Sequence, residues 1–414
     1  MRHDLQRSSM EAPAILTDHI LPEPCRGATQ PAFATVAEAF AENFRRRGEN
    51  GAALCVYHRG AKVVDLWGGE RDPRDASPWL ENTLVCGFST SKGVAAVAVA
   101  LAVARGHLAY DAPVARYWPE FGARGKGEIT VRELLGHLAG LSHLDRRLNL
   151  TTIGRPTLLA RRLARQRPIW HPGRHWGYHA MTWGFYVDEV MRRVTPGARS
   201  TGRFFADEIA GPLGLDYHIG LPDPIPDARI ARIELPGRVQ VLRGLPRLPR
   251  ALVPKVINPF SRLQRSLRVV RGFNVNDPAW LKAEVSSANG VGEVRALARL
   301  YSVLACGGNE LGLGAEVMAE LTAPAAIPSG GNRDIVMGVD SRWHLGFAKS
   351  SPDFPFGTGD TAFGMPGMGG AFAFADPDRE LGYAYVPRRL GIVPFDEPRE
   401  TAVREAVYQC LPTR

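Results

Sequence analysis

Residues 88–93 read Phe88-Ser89-Thr90-Ser91-Lys92-Gly93, and the chain then runs VAAVAVALAVA from Val94 to Ala104. A helix over Ser89–Arg105 made almost wholly of Ala and Val has no polar face, so it belongs in the middle of the protein. Its eleven-residue apolar run is well short of the roughly 18 residues that a membrane-spanning helix needs. Whatever surrounds it must supply apolar surface on all sides. Upstream, Ala52–His58 and Lys62–Trp67 are β-rich runs joined by Arg59-Gly60-Ala61, a hairpin pattern. Near the end, Ala371–Ala375 and Leu381–Val386 flank the turn-forming Asp376-Pro377-Asp378. Short turns between sequential strands favour an antiparallel sheet.

Helical periodicity marks Phe33–Arg47 (Phe33, Val36, Phe40, Phe44), Val131–Leu138, 157–165, Met181–Arg193, Gly202–Ile209, Gly292–Leu304 and Arg399–Tyr408. The expected fold is therefore α+β: an antiparallel sheet flanked by helices, with a mainly helical lobe inserted. The expected organisation is an N-terminal arm over 1–30, a discontinuous sheet domain from 31–105 and 285–414, and a helical lobe over 106–284.

At 414 residues with 45% apolar content, the chain buries enough surface to fold without staples. Five widely spaced cysteines (25, 55, 86, 306, 410) with no CxxC argue against a disulfide framework or zinc site. No apolar segment follows the charged start Met1-Arg2-His3-Asp4, so a cytoplasmic location is expected, with peripheral membrane contact as a variant. The net charge is +9, from 51 Lys+Arg against 42 Asp+Glu. Residues 228–272 hold eleven of the basic residues and one acid, Glu234, and the remainder is close to neutral. The charge is thus local and does not point to nucleic acid. Within this segment Val256, Phe260, Leu263, Leu267 and Val270 fall on one helical stripe, with Arg262, Arg265, Arg268 and Arg271 off it. A basic amphipathic helix of this kind suits an anionic membrane surface, an anionic acyl substrate or the mouth of a site; a solvated arginine face packed on the body is the plainer reading.

Ser89 and Lys92, at i and i+3, share a helical face. A serine hydroxyl needs a base to become a nucleophile. A buried lysine can be that base, because desolvation disfavours its charged form. The first helical turn also leaves N–H groups free for a developing oxyanion. Ser-x-x-Lys also arises by chance, and Ser89 or Thr90 can be a plain N-cap. His171, His175 and His179 are spaced by four, but Pro172-Gly173 breaks the helix that would align them, so no metal is expected.

Around these residues the chain resembles the serine β-lactamase-related family, in particular its esterase branch, the family VIII carboxylesterases. The resemblance is carried by Val64-Asp65-Leu66-Trp67-Gly68-Gly69, Phe88–Gly93, Gly106–Val114, Tyr117–Phe121 and Leu134–Leu141. It continues through Trp176-Gly177-Tyr178-His179-Ala180, Ser287-Ala288-Asn289-Gly290 and Gly364–Gly370, over about residues 35 to 390. It implies that Ser89 is acylated, that Lys92 is its general-base partner and that Tyr178 shuttles a proton. It also implies an oxyanion hole from the backbone N–H groups of Ser89 and Met368, and a substrate cleft near His179, Asn289, Met365 and Gly367. No cofactor is implied, and the partner is a small-molecule ester.

The family's third motif departs here. Relatives carry Lys, His or Trp where Met365 stands, and methionine neither donates a hydrogen bond nor carries charge. Ala371 replaces a common serine. Ester hydrolysis through an acyl-enzyme is the leading expectation. Acyl transfer at the same residues, and a binding or membrane-associated protein on this scaffold, are the alternatives.

Overall fold

The computed structural model describes residues 21–412 apart from Pro224 and Pro394. Among the described residues there are twelve strands: β1 Cys25–Thr29, β2 Gly51–His58, β3 Ala61–Asp72, β4 Ser77–Pro78, β5 Val85–Cys86, β6 Tyr217–Ile219, β7 Gly290–Gly292, β8 Trp343–His344, β9 Phe347–Lys349, β10 Phe363–Pro366, β11 Phe372–Asp376 and β12 Leu381–Pro387. Nine form one antiparallel sheet in the order β1-β3-β2-β12-β11-β10-β9-β8, with β4 paired to the end of β3. β5, β7 and β6 form a small second sheet. The strands from the two ends of the chain meet at β2 and β12, where Tyr385 lies opposite Leu54. The hairpin turn of β2 and β3 places Arg59 and Gly60 at φ 52° and 76°. That is the twist-matched geometry a two-residue hairpin favours.

Side-chain alternation decides what covers each face. On β2, Leu54 and Val56 join the cluster beneath α1 (Ala34–Arg46) and the Pro398–Cys410 helix, while Ala53 and Cys55 face the other core. On β12, Tyr383 and Tyr385 take the first face and Ala384 and Val386 the second. The second face is lined with small residues, so helices come close. A Cβ on Gly382 would sit 2.3 Å from the Ser302 amide of the Val294–Ala305 helix. Further along, α2 (Thr90–Ala104) is buried at every position from Thr90 to Ala102, as its uniformly apolar sequence requires. It packs against β10 and the Thr182–Val194 and Thr201–Phe205 helices.

Two expectations are corrected. Cys25–Thr29, assigned to an arm, is an edge strand in register with Val64–Gly68 of β3; residues 1–20 lie outside the described region. The proposed helix over Val256–Val270 is broken. One helix ends at Ile257 and the next begins after Ser261, because Pro259 cannot donate the backbone hydrogen bond that continuity needs. Phe260 then points to solvent, while Val270 pairs with Leu148 in the body. Cys25, Cys55 and Cys86 are buried, as small apolar residues would be.

Candidate active site

The site is built where β5 hands over to α2. Gly87 and Phe88 make the turn, with Phe88 at φ 51°, a conformation that costs energy for a bulky residue and aims Ser89 out of the strand–helix junction. Thr90 Oγ1 donates to the Gly87 carbonyl at 3.0 Å and fixes the turn. Ser91 ties the same turn to the second sheet, accepting from the Gly290 amide at 2.8 Å.

Lys92 Nζ lies 3.1 Å from Ser89 Oγ, 2.7 Å from the Ala180 carbonyl oxygen and 2.8 Å from that of Ser287. The side chain is fully buried, with no carboxylate among these partners. Burial holds its pKa well below the ordinary amine value. A neutral amine has two N–H bonds and one lone pair. The two carbonyls take the N–H bonds, which leaves the lone pair for the Ser89 hydroxyl. Tyr178 donates its phenol proton to Ser89 Oγ at 2.8 Å. Burial raises the phenol's pKa, while the bond to Ser89 lowers it; the net shift is upward, so the group is protonated at neutral pH.

Three contacts hold Tyr178. Trp343 stacks on its ring at 5.0 Å, His137 meets it edge-on at 5.0 Å, and Lys92 Nζ sits 4.9 Å from its centroid. Trp343 is itself held by its indole N–H bond to buried Asp334, at 2.9 Å. Ser266 bridges the same loop: its hydroxyl donates to the Tyr178 carbonyl at 3.1 Å and accepts from the Ala180 amide at 2.8 Å. Neither Ser266, Trp343 nor Asp334 was singled out by the sequence. Their partners lie 88, 165 and 9 residues away, and nothing local marks them.

Opposite Ser89, β10 ends at Pro366 and is followed by Gly367. A Cβ on Gly367 would sit 2.3 Å from the Gly87 carbonyl oxygen, so only glycine lets the chain close on the Gly87–Ser89 turn. Among the described residues, the amides of Ser89 and Met368 have no backbone acceptor. Both residues line the same cavity, of about 300 Å³. Amides without a backbone acceptor beside one cavity are what an oxyanion needs. The other wall is apolar: Leu245, Leu248, Leu252, Val256, Leu263 and Leu267 come from the basic insert. No charged side chain lines the cavity among the described residues.

Three expected substrate contacts do not reach it. His179 is fully buried, accepts from the Leu141 amide through Nε2 and donates through Nδ1 to the Gly177 carbonyl. Burial drops its pKa to about 3, so it is a neutral loop brace. Asn289 spends its amide on its own loop, accepting from Val285 N–H and donating to the Trp280 and Ala283 carbonyls. Met365 packs into the apolar cluster beneath the site, close to Gly93, and is absent from the cavity wall. Gly367 and Met368 do line it. No group of His, Cys, Asp and Glu that could hold a metal ion occurs among the described residues, and no helix there is long and apolar enough to cross a membrane.

Residues 36–408 match the family model described as Beta-lactamase. The chain belongs to the beta-lactamase family. Within it, the chain is 34% identical over 375 residues to the esterase/beta-lactamase LipL of Mycobacterium tuberculosis, covering 88% of this chain and 83% of that one. A crystal structure of a family VIII carboxylesterase superimposes with a TM-score of 0.81 at 35% identity, covering 94% of this chain and all of that one. A penicillin-binding protein homologue from Caulobacter crescentus gives a TM-score of 0.81 at 34% identity over 94% of this chain. The beta-lactamase family fold thus accounts for the antiparallel sheet and its flanking helices.

Proposed function

We propose that this protein is a serine carboxylesterase acting through an acyl-enzyme at Ser89. The observation that carries the reading is the line Tyr178 Oη, Ser89 Oγ, Lys92 Nζ, with contacts of 2.8 and 3.1 Å, opening onto an apolar cavity. Ser89 Oγ attacks the ester carbonyl carbon while its proton passes to neutral Lys92. The oxyanion is held by the Ser89 and Met368 amides. The carbon–oxygen bond to the alcohol breaks, and the proton returns to the departing alkoxide through Tyr178. Water then repeats the sequence on the acyl-serine and releases the acid.

The wall chemistry supports a neutral, apolar acyl group. A substrate carboxylate would find no cationic side chain in the cavity, and Met365 stands where relatives with Lys or His supply one. This favours esters over β-lactams. The intact hydrogen-bonded line likewise favours catalysis over a binding-only role.

Intact-mass spectrometry after exposure to p-nitrophenyl butyrate tests the assignment. A butyryl adduct on the wild-type protein, absent from Ser89→Ala, is the expected result. Unchanged turnover by Ser89→Ala refutes it.

A further inference from the structure

The insert that walls the cavity carries apolar side chains on its outer surface as well. Ten large apolar side chains are exposed among the described residues, and five of them, Leu235, Val239, Leu242, Ile257 and Phe260, fall within residues 235–260. Phe260 is 84% exposed and Leu242 66%. Scattered apolar residues on a surface need no explanation; a concentration of this kind marks a contact surface. Three of them, Val239, Leu242 and Ile257, lie beside a residue that faces inward. In the Arg238–Gly244 helix Val241 lines the cavity while Val239 and Leu242 face solvent, and Val256 lines it while Ile257 faces out.

Charge identifies the occupant. Arg238, Arg243, Arg247, Arg250, Arg262 and Arg265 lie along the same segment, and no ion pair engages any of them among the described residues. Arg243 and Arg247 also turn into a second cleft of about 520 Å³, shared with Arg46, Arg47 and Arg389. Its one acid among the described lining residues, Glu397, is already bonded to Arg399. Pro236 and the Leu390–Val393 stretch wall both this cleft and the Ser89 cavity. Exposed aromatic and aliphatic tips beside unpaired arginines match an acyl–headgroup boundary with negative surface charge. A purely electrostatic partner would leave Phe260, Ile257 and Leu242 without a role.

We propose that the outer face of residues 235–268 docks this protein on an anionic lipid surface, with Phe260, Ile257 and Leu242 inserted among the acyl chains and the arginines on lipid phosphates. Docking sets the cavity beside the source of apolar esters, a consequence that rests on the proposed esterase reading. The binding itself does not.

Vesicle co-sedimentation tests the docking, with vesicles of phosphatidylcholine alone or mixed with phosphatidylglycerol. Hydrolysis of soluble p-nitrophenyl acetate serves as a separate check on folding and on the catalytic reading. Wild-type protein is expected to sediment with the mixed vesicles and not the neutral ones, and to be released by high salt. The triple variant Leu242→Ser, Ile257→Ser, Phe260→Ser, and separately Arg243→Gln with Arg247→Gln, are expected to bind about tenfold more weakly while keeping acetate turnover. Absence of wild-type sedimentation, equal binding to neutral vesicles, or equal binding by the triple variant overturns the proposal. So does concentration-dependent self-association without lipid that the triple variant abolishes, since the face would then be an interface between copies. Loss of acetate hydrolysis in Ser89→Ala with lipid binding intact separates the two readings.

Discussion

The two walls of the cavity are made in opposite ways. The body wall (Ser89, Tyr178, Gly367, Met368) is specified atom by atom through hydrogen bonds, a strained turn and a glycine contact. The insert wall is mainly leucines and valines, with Gln264 the one polar side chain among its described lining residues. On the proposed mechanism the first wall fixes where charge moves. The second fixes only shape, and shape tolerates exchange of one apolar side chain for another. Substitutions should therefore grade steeply between the two.

The largest loss is expected at Lys92. Lys92→Met keeps the volume and removes the base, and should lower kcat by about 10⁴-fold. On the proposed mechanism the neutral amine is the working form. Its pKa is held down by burial, so turnover should rise with pH through that titration and level off above it. A rate that does not fall on acidification would break the assignment of Lys92 as base. Next comes Gly367→Ala, whose methyl would collide with the Gly87 carbonyl. A loss of about 10²–10³ in kcat, the usual effect of spoiling an oxyanion donor, with KM little changed, is the expected kinetic signature.

Ser266→Ala tests whether the insert and the body are mechanically joined. It leaves the Ala180 amide without its acceptor, a cost of about 1–3 kcal/mol for a buried group, read as a fall in Tm. Because the Ala180 carbonyl also holds Lys92, kcat should drop by about tenfold; a Tm change with kcat intact would confine Ser266 to stability. The smallest effect belongs to Leu252→Ala on the insert wall. It should leave acetate esters unaffected and shift the preference among longer acyl chains by about fivefold, measured as kcat/KM across an ester series. A Leu252→Ala loss as large on acetate as on long chains would erase the distinction between the walls.

The sequence displayed these walls unequally. Ser89 and Lys92 were legible because they sit one helical turn apart on a helix with no polar face. The β2–β3 hairpin and the β11–β12 pair were legible because alternation and turn residues are local. His179 and Asn289 misled for a common reason. Both lie close to residues that reach the site, yet their polar atoms are consumed by backbone groups: for His179 the Leu141 amide, 38 residues away, and the Gly177 carbonyl, and for Asn289 groups of Val285, Trp280 and Ala283. Residue type cannot reveal that a side chain is already satisfied. Met365 was placed by its position in a motif, although an unbranched apolar side chain sinks into whatever core lies beneath it. The insert's charge was visible, but its path was not. Apolar spacing alone drew one helix through Pro259, whereas the chain turns there and presents Phe260 outward.

The hydroxyl of Ser266 makes the cover part of the catalyst's scaffolding. A flap attached only at its two ends could be trimmed or replaced with little effect on the chemistry beneath. Here the Arg262–Leu267 helix is latched onto the loop that carries Tyr178 and the Ala180 carbonyl. Shortening or rerouting it would slacken the grip on Lys92 at the same stroke. On the proposed esterase reading, new substrate ranges would then be reached by exchanging side chains along a fixed backbone path, as in a sieve whose mesh can be retuned while its frame stays in place.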